Sequence, residues 1–211
     1  MNASLGKIPL QDFEFFAEDD MIDIVCFSKM EKLHMISGDF GPFEPMEQAT
    51  VPLWLAIILK KNNKCRIVMP TWLSVNNLRI ALEKDRTMDL NNDPVLYSLP
   101  NHYIEISRIL LENCEDDIED AKEVRSLLDI IIKVRESRLN EFKSTVIGYL
   151  SSTLEEKFNH GEYREFVKRP FYDIIEGASD IEVNRLFSQF LPVLEELTKN
   201  EDTRKLLLST M

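Results

Sequence analysis

Alternating apolar and polar positions predict three short β-strands in the first third of the chain. The clearest alternation runs from Met21 to Phe27, where every second residue from Ile22 onward is apolar and faces the same way in an extended segment. Lys32 to Ile36 repeats this pattern more weakly, and Cys65 to Met69 is a third run of strand-forming residues. These segments predict a small sheet in this part of the chain.

Residues 37–45, between the second and third predicted strands, contain two glycines and two prolines. This density of residues with special backbone preferences predicts a tight, irregular turn. Pro52 then suits the first turn of a helix, which continues through the almost wholly apolar stretch from Leu53 to Leu59. A helix this apolar must be buried on several sides.

The periodicity changes after Trp72 from that of strands to that of helices. Ser74 is a suitable N-cap for a helix that runs to about Arg86, and the polar residues from Thr87 to Leu96 predict a connecting loop. A helix of about four turns follows, with its apolar positions at Tyr103, Ile106 and Leu110. The predicted fold class is α+β, with a small β-rich N-terminal domain followed by a larger, mainly α-helical bundle domain.

The longest predicted helix runs from about Glu119 to about Thr153, and an acidic cluster at residues 115–120 lies where the helix dipole favours negative charge. Leu127 and Ile130 form a second stripe that widens its apolar arc. One neighbouring helix cannot cover this arc, so the segment is either central to a bundle or covered by another chain. The main apolar stripe consists of Val124, Leu128, Ile131, Val134, Leu139, Phe142, Val146 and Tyr149. Two more helices are predicted, over Glu162–Glu176 and Ile181–Lys199.

Composition narrows the classes of function. The 211 residues include 37 acidic and 25 basic residues, a formal net charge of -12, which disfavours independent binding to DNA phosphates. Cys26, Cys65 and Cys114 are too widely spaced for a CxxC metal site or a disulfide framework, and they predict reduced core thiols. No signal peptide or bilayer-length apolar stretch is present, which predicts an intracellular protein with no membrane partner.

Short motifs that could carry chemistry lack the companions that the chemistry needs. Asp39-Phe40-Gly41 matches a kinase magnesium motif, but no phosphate loop or catalytic loop accompanies it. Residues 89–93 open like a calcium loop, but prolines stand where such a loop needs glycine and glutamate. His34, His102 and His160 are far apart and have no nucleophile nearby. The sequence therefore predicts no catalytic residue, no cofactor and no metal site.

Basic residues gather in two places, and the nearby acids and the lack of interleaved aromatic residues favour a solvated helix end and a charged helix face over a DNA track. The two clusters are Lys60, Lys61, Lys64 and Arg66, and then Arg135, Arg138 and Lys143. A free-standing single-stranded nucleic-acid-binding adaptor stays open as an alternative function. A hydrolase with dispersed carboxylates is a second alternative, which would need a pocket of paired acids.

Several stretches between about residues 13 and 143 resemble GINS complex subunits of the Psf-two type, from the eukaryotic DNA replication machinery. They include FFAEDDMIDIV, VPLWLAIILKKNNKCRIVMPTWL and KEVRSLLDIIIKVRESRLNEF. The motifs occur in the family's order and at close spacing. The residues that carry the resemblance most specifically are Gly38, Asp39, Gly41, Pro42, Phe43, Pro52, Leu53, Trp54, Cys65, Arg66, Pro70 and Trp72.

The resemblance implies a domain order and a function. Residues 1–72 would form the small β-rich domain and residues 73–211 the α-helical domain, with a divergent part from about residue 146. The chain would be a nuclear, non-catalytic scaffold subunit of the heterotetrameric GINS complex. That complex joins the minichromosome-maintenance (MCM) helicase ring and its RecJ-like partner in the replicative helicase, for initiation and elongation. The partners would be the three other subunits and these helicase proteins, with DNA contacted only indirectly or weakly.

The resemblance also implies that helical domains build the tetramer, which agrees with the wide apolar arc of the longest helix. Phe43, Leu53, Trp54 and Trp72 are expected to hold the small domain together and to dock it on the helical domain. The residues predicted to contact other subunits are Tyr103, Ile106, Leu110, Leu127, Leu128 and Ile131.

Overall fold

A computed structural model describes residues 10–89, 95–155 and 177–198, with side chains described over 12–89, 95–145 and 177–189. A small N-terminal sheet region is followed by a helical bundle, so the predicted fold class is confirmed. The elements in chain order are α1 Leu10–Glu18, β1 Met21–Cys26, β2 Leu33–Met35, β3 Gly38–Phe40, β4 Gln48–Pro52, α2 Leu53–Lys61, β5 Cys65–Ile67, α3 Val75–Thr87, α4 Tyr103–Asn113, α5 Ala121–Glu155 and α6 Asp180–Thr198.

β1 is the central strand of a three-stranded antiparallel sheet in the order β4-β1-β5. The alternating pattern of β1 predicted that one face of the strand is buried, and Ile22, Ile24 and Cys26 are all buried. On the other face, the Asp23 carboxylate accepts hydrogen bonds from Thr50 Oγ1 (2.6 Å) and from the side-chain amide of Gln48 on β4 (2.8 Å). These polar pairs fix the register across the two strands.

The segment predicted as an irregular turn contains strand β3, which pairs with β2 in a separate two-stranded hairpin. The turn chemistry itself is present, since Gly38 and Gly41 have φ angles of 140° and 92° that favour glycine. A Cβ on Gly41 would lie 3.0 Å from ring carbons of Phe43, so this glycine also makes room for the buried phenyl group. The prediction was right about the backbone punctuation and missed the short strand between the glycines.

α2 begins where Pro52 was predicted to start a helix, and most of its apolar residues are buried, among them Leu53 and Leu59. Trp54 is half-buried and packs edge to face against Phe40, with ring centroids 5.9 Å apart. Leu53 therefore contributes to the core with its whole side chain, whereas Trp54 covers the hairpin from one side.

The later helices follow the periodicity of the sequence closely. α3 starts after Ser74, whose Oγ accepts a hydrogen bond from the backbone N–H of Asn77 at 3.4 Å. α4 has 11 residues, about three turns rather than four. The predicted helix over residues 162–176 and part of the predicted loop over 87–96 lie outside the described residues. No described helix combines the length and hydropathy needed to cross a bilayer.

Packing divides the chain into two compact units. Among the described residues, one unit comprises 10–82 and 102–131, and the other comprises 83–89, 95–101, 132–155 and 177–198. The predicted domain boundary after residue 72 concerns sequence modules rather than packing, and it stays a prediction.

Arg135 on α5 lies at the centre of the second unit with no solvent exposure. Its Nε donates to Asp85 Oδ2 at 2.7 Å, and its Nη1 donates to Glu182 Oε2 and to the carbonyl of Gly177, both at 3.3 Å. Its Nη2 donates to the carbonyl of Tyr97. One guanidinium thus connects α3, α5, the start of α6 and the segment around Tyr97. A buried charge is tolerated only with such partners, because removing it from water costs several kcal/mol.

The start of α6 is built around the same group. Ser179 Oγ accepts from the backbone N–H of Glu182 at 3.4 Å, and Glu182 Oε2 accepts from the backbone N–H of Ser179 at 2.8 Å, which is a capping box. A Cβ on Gly177 would lie only 2.5 Å from the carbonyl oxygen of Leu96. Glycine is therefore required there for the two backbone segments to approach each other.

The core position of Phe43 gives a first test. Phe43→Ala should lower the free energy of unfolding of the full chain by about 3–5 kcal/mol, because the buried ring leaves a cavity. Trp54→Ala should cost less, since part of the indole is already in water. Urea melts measure both, with Phe27→Ala as the control because Phe27 is half exposed. A loss below about 1 kcal/mol for Phe43→Ala would contradict its placement.

Arg135→Met should cost about 3–5 kcal/mol, because it keeps much of the side-chain volume but leaves Asp85 and Glu182 buried without their cation. Adding Asp85→Asn and Glu182→Gln should recover part of that loss. The matched control is Lys133→Met, an exposed residue on the same helix, which should stay within about 0.5 kcal/mol of wild type. Equal effects of the two methionine substitutions in urea melts would refute the buried charge centre.

Candidate functional site

The residues predicted to contact other subunits lie mostly inside this chain. Five of the six are buried in the first unit, and Leu127 is half-buried. The buried five are Tyr103, Ile106, Leu110, Leu128 and Ile131. Neighbouring segments of the same chain therefore cover most of the apolar arc of α5 over these positions, and the predicted subunit contact of the six residues stays a prediction.

The second stripe of α5 is the part that faces solvent. Ile130 is 37% exposed, and the half-buried Leu127 lies one turn before it on the same face of the helix. An isolated exposed isoleucine is common. An exposed isoleucine beside a half-buried leucine, on a helix whose Leu128 and Ile131 are already buried, is the kind of small anchor that protein interfaces use. We call Leu127 and Ile130 the α5 anchor.

A second constellation joins α2 and β5 to the turn between α4 and α5. Lys60 Nζ lies 2.7 Å from Asp116 Oδ2 and 2.8 Å from Asp117 Oδ2, and Asp117 Oδ2 also accepts the backbone N–H of Ile67 at 2.8 Å. Burial lowers the pKa of Lys60, but the hydrogen bonds to the two aspartates outweigh it, so the pKa is raised overall. The hydrogen bond from Lys60 lowers the pKa of Asp116. These contacts attach the end of α2 to the helical part of the unit.

Neither basic cluster forms an uninterrupted basic track in the described residues. Lys60 is engaged by the two aspartates, and Arg138 pairs with Glu141 at 3.1 Å. The interpretation of Arg135 as part of a solvated helix face was wrong, because its guanidinium is fully buried between Asp85 and Glu182. Lys61, Lys64 and Arg66 are exposed, as predicted for a solvated helix end and its neighbouring strand.

All three cysteines are free and buried, which confirms the prediction of core thiols. Cys26 and Cys65 are direct partners across β1 and β5. Burial raises the pKa of Cys65 to about 12 and that of Cys114 to about 11. The neutral thiol is therefore the form present at neutral pH, and these residues act as small apolar side chains.

The remaining candidates for chemistry are dispersed. Asp39 of the kinase-like tripeptide lies on the exposed hairpin, where hydrogen bonds from Lys32 (2.9 Å) and with His34 Nδ1 (2.7 Å) lower its pKa. His102 Nδ1 lies 2.8 Å from Asp20 Oδ2. His160 and most of the calcium-like segment lie outside the described residues. Within those residues, no group of three or more His, Cys, Asp or Glu side chains is arranged to hold a metal ion.

The motif residues of the resemblance lie in and next to the strands of the N-terminal region. Gly38 to Phe43 span β3 and the turn after it, Pro52 to Trp54 start α2, and Cys65 with Arg66 lie in β5. Pro70 precedes a short 3-10 turn at Thr71–Leu73, in which Trp72 is half-buried.

Comparison with known proteins matches both parts of the chain to one complex. Residues 10–68 match the family described as PSF2 N-terminal domain, and residues 72–169 match the family described as GINS complex protein helical bundle domain. The likeness thus continues past residue 143, where the resemblance recognised in the sequence thins out.

Individual relatives agree with these matches. The chain is similar to DNA replication complex GINS protein PSF2 of Xenopus laevis, with 36% identity over 56% of this chain and 61% of the relative. The Homo sapiens protein of the same name is 34% identical over 61% of this chain and 67% of its own length. That of Candida albicans is 31% identical over 94% of this chain and 85% of its own length. The chain belongs to the PSF2 family of DNA replication GINS complex proteins.

Proposed function

We propose that the chain is a non-catalytic scaffold subunit of a heterotetrameric GINS complex that works in the nucleus. The complex would join the MCM helicase ring and its RecJ-like partner in the replicative helicase, during initiation and elongation of DNA replication. In this role the chain holds other proteins in a working geometry, and the ATP chemistry belongs to the helicase ring. Three other GINS subunits are its immediate partners.

The observation that carries this proposal is the succession of two matches along one chain. A PSF2 N-terminal domain is followed directly by a GINS helical bundle domain, and one relative matches 94% of the chain. The two matches lie in succession along the chain, which supports the proposed role in this complex. The charge of -12 also fits a role in protein contacts better than one in direct DNA binding.

The burial of individual side chains limits which part of the predicted subunit contact a partner can reach. A partner cannot reach buried side chains such as Tyr103 or Ile131 without opening the unit. The α5 anchor can be reached, since Ile130 is 37% exposed and Leu127 lies one turn away. We propose that these two side chains enter the interface and that the buried five support them from below. Interfaces commonly depend on a few apolar anchors surrounded by polar contacts.

Co-expression with the three other GINS subunits of the same organism tests both levels of the proposal. Native mass measurement should show a 1:1:1:1 assembly. Ile130→Asp should reduce incorporation of this chain at least tenfold, because a carboxylate would be buried in an apolar contact. Its urea midpoint should not change, since the residue is partly solvated in the lone chain. Leu128→Asp cannot make this distinction, because Leu128 is buried within the unit.

The matched control is Ile58→Asp, which places the same charge on an isoleucine of α2 that is 48% exposed. It should assemble at the wild-type yield. If no four-subunit assembly forms with the wild-type chain, the scaffold function is wrong. If the assembly forms and tolerates Ile130→Asp as well as it tolerates Ile58→Asp, only the α5 anchor is wrong.

A further inference from the structure

Helix α1 has one buried face and a second apolar face in solvent. Phe13 and Ala17, four residues apart, are buried against the first unit. Phe15 and Phe16 lie on the outward side, 65% and 50% exposed, with ring centroids 6.1 Å apart and an interplanar angle of 66°. The helix already packs through Phe13 and Ala17. The exposed rings of Phe15 and Phe16 are therefore not needed to hold it in place.

Acidic residues stand at both ends of the exposed rings. Asp12 and Asp19 are exposed, and their spacing of three, four and seven residues with Phe15 and Phe16 places all four on one side of the helix and of the turn that ends it. A separation of seven helical residues corresponds to about 10 Å along the axis. We call these four residues the α1 face.

The charge of the α1 face is not neutralised within the described part of the chain. Neither Asp12 nor Asp19 takes part in an ion pair there. Two basic side chains near α1 pair with other acids: Arg108 with Glu14 and Glu112, and His102 with Asp20. The pair between Glu14 and Arg108 also links α1 to α4. The aromatic rings are therefore presented on an anchored helix, with an uncompensated carboxylate on each side.

We propose that the α1 face is a docking surface for a basic segment of another protein. The segment would carry two arginine or lysine side chains about 10 Å apart, which pair with Asp12 and Asp19. Between them, an apolar side chain or a guanidinium would cover the phenyl rings, since guanidinium groups stack on aromatic faces.

Charge complementarity selects this partner over the other candidates. A second copy of the chain would bring like charges together, and so would nucleic acid or an anionic lipid surface. An uncharged apolar segment would leave both carboxylates partly desolvated without a partner. The surface is distinct from the α5 anchor, and its test does not depend on formation of the GINS tetramer.

Site-specific photo-crosslinking of the full chain tests the α1 face. Benzoylphenylalanine in place of Phe15 keeps the aromatic ring and reacts with whatever covers it. In cells of the source organism, we expect a cross-link to a different polypeptide, at a segment with at least two Arg or Lys residues within about three helical turns. In permeabilised cells, the yield should fall severalfold when salt is raised from about 0.1 M to about 0.5 M, because salt screens exposed ion pairs.

Asp12→Lys combined with Asp19→Lys should lower the cross-link yield at least fivefold, while the urea midpoint stays at the wild-type value. The control is Glu31→Lys combined with Glu47→Lys, which makes the same change of charge at two other exposed acids and should leave the yield unchanged. Cross-linking to a second copy, to nucleic acid or to an acidic or uncharged segment would overturn the proposal. So would the absence of any cross-link, or a yield that salt does not lower.

Discussion

The buried guanidinium of Arg135 joins separate described segments of the second unit through hydrogen bonds and ion pairs. It cannot turn to solvent, so the chain must supply acceptors around it, and it does so from Asp85, Glu182 and the carbonyls of Tyr97 and Gly177. These four acceptors come from three segments of the chain: the end of α3, the segment around Tyr97 and residues 177–182. Their convergence brings the start of α6 against α5, and it explains why Glu182 serves both as a helix cap and as a counter-charge. Apolar packing alone would not fix these segments in one register.

In the first unit, a smaller set of polar contacts likewise joins segments that are distant in sequence. Asp117 accepts from Lys60 and from the backbone N–H of Ile67, so the turn between α4 and α5 is bonded to both α2 and β5. The acidic cluster was expected to favour the start of the next helix through its dipole. The structure shows a more specific use, in which two of its carboxylates hold a lysine whose side chain is largely buried. The small sheet is thereby attached to the helices that follow it in sequence.

Periodicity predicted the elements that have a regular apolar stripe, and it missed those that lack one. β1 and the helices α3 to α6 have regular stripes and were found. α1 carries phenylalanines on two sides, and β4 is an edge strand whose buried residues are adjacent rather than alternating, so neither gives a single stripe. Arg135 was misplaced because charged residues are usually exposed. The spacing of Arg135 could have indicated its burial. It lies four residues after Ile131 and four before Leu139, so it continues the buried stripe of the helix.

The wide apolar arc of α5 left two explanations open, burial within a bundle or cover by another chain. Over the described side chains of α5, most of the arc is filled from within the chain, as the complete burial of Val124 and Ile131 shows. On the described part of this arc, Ile130 and the half-buried Leu127 remain within reach of a partner. A chain with this distribution can close its described core before it meets a partner, so folding and assembly need not be one event. Specificity in the complex would then come from where these few anchors stand and from the charges beside them, rather than from the area of a continuous apolar face.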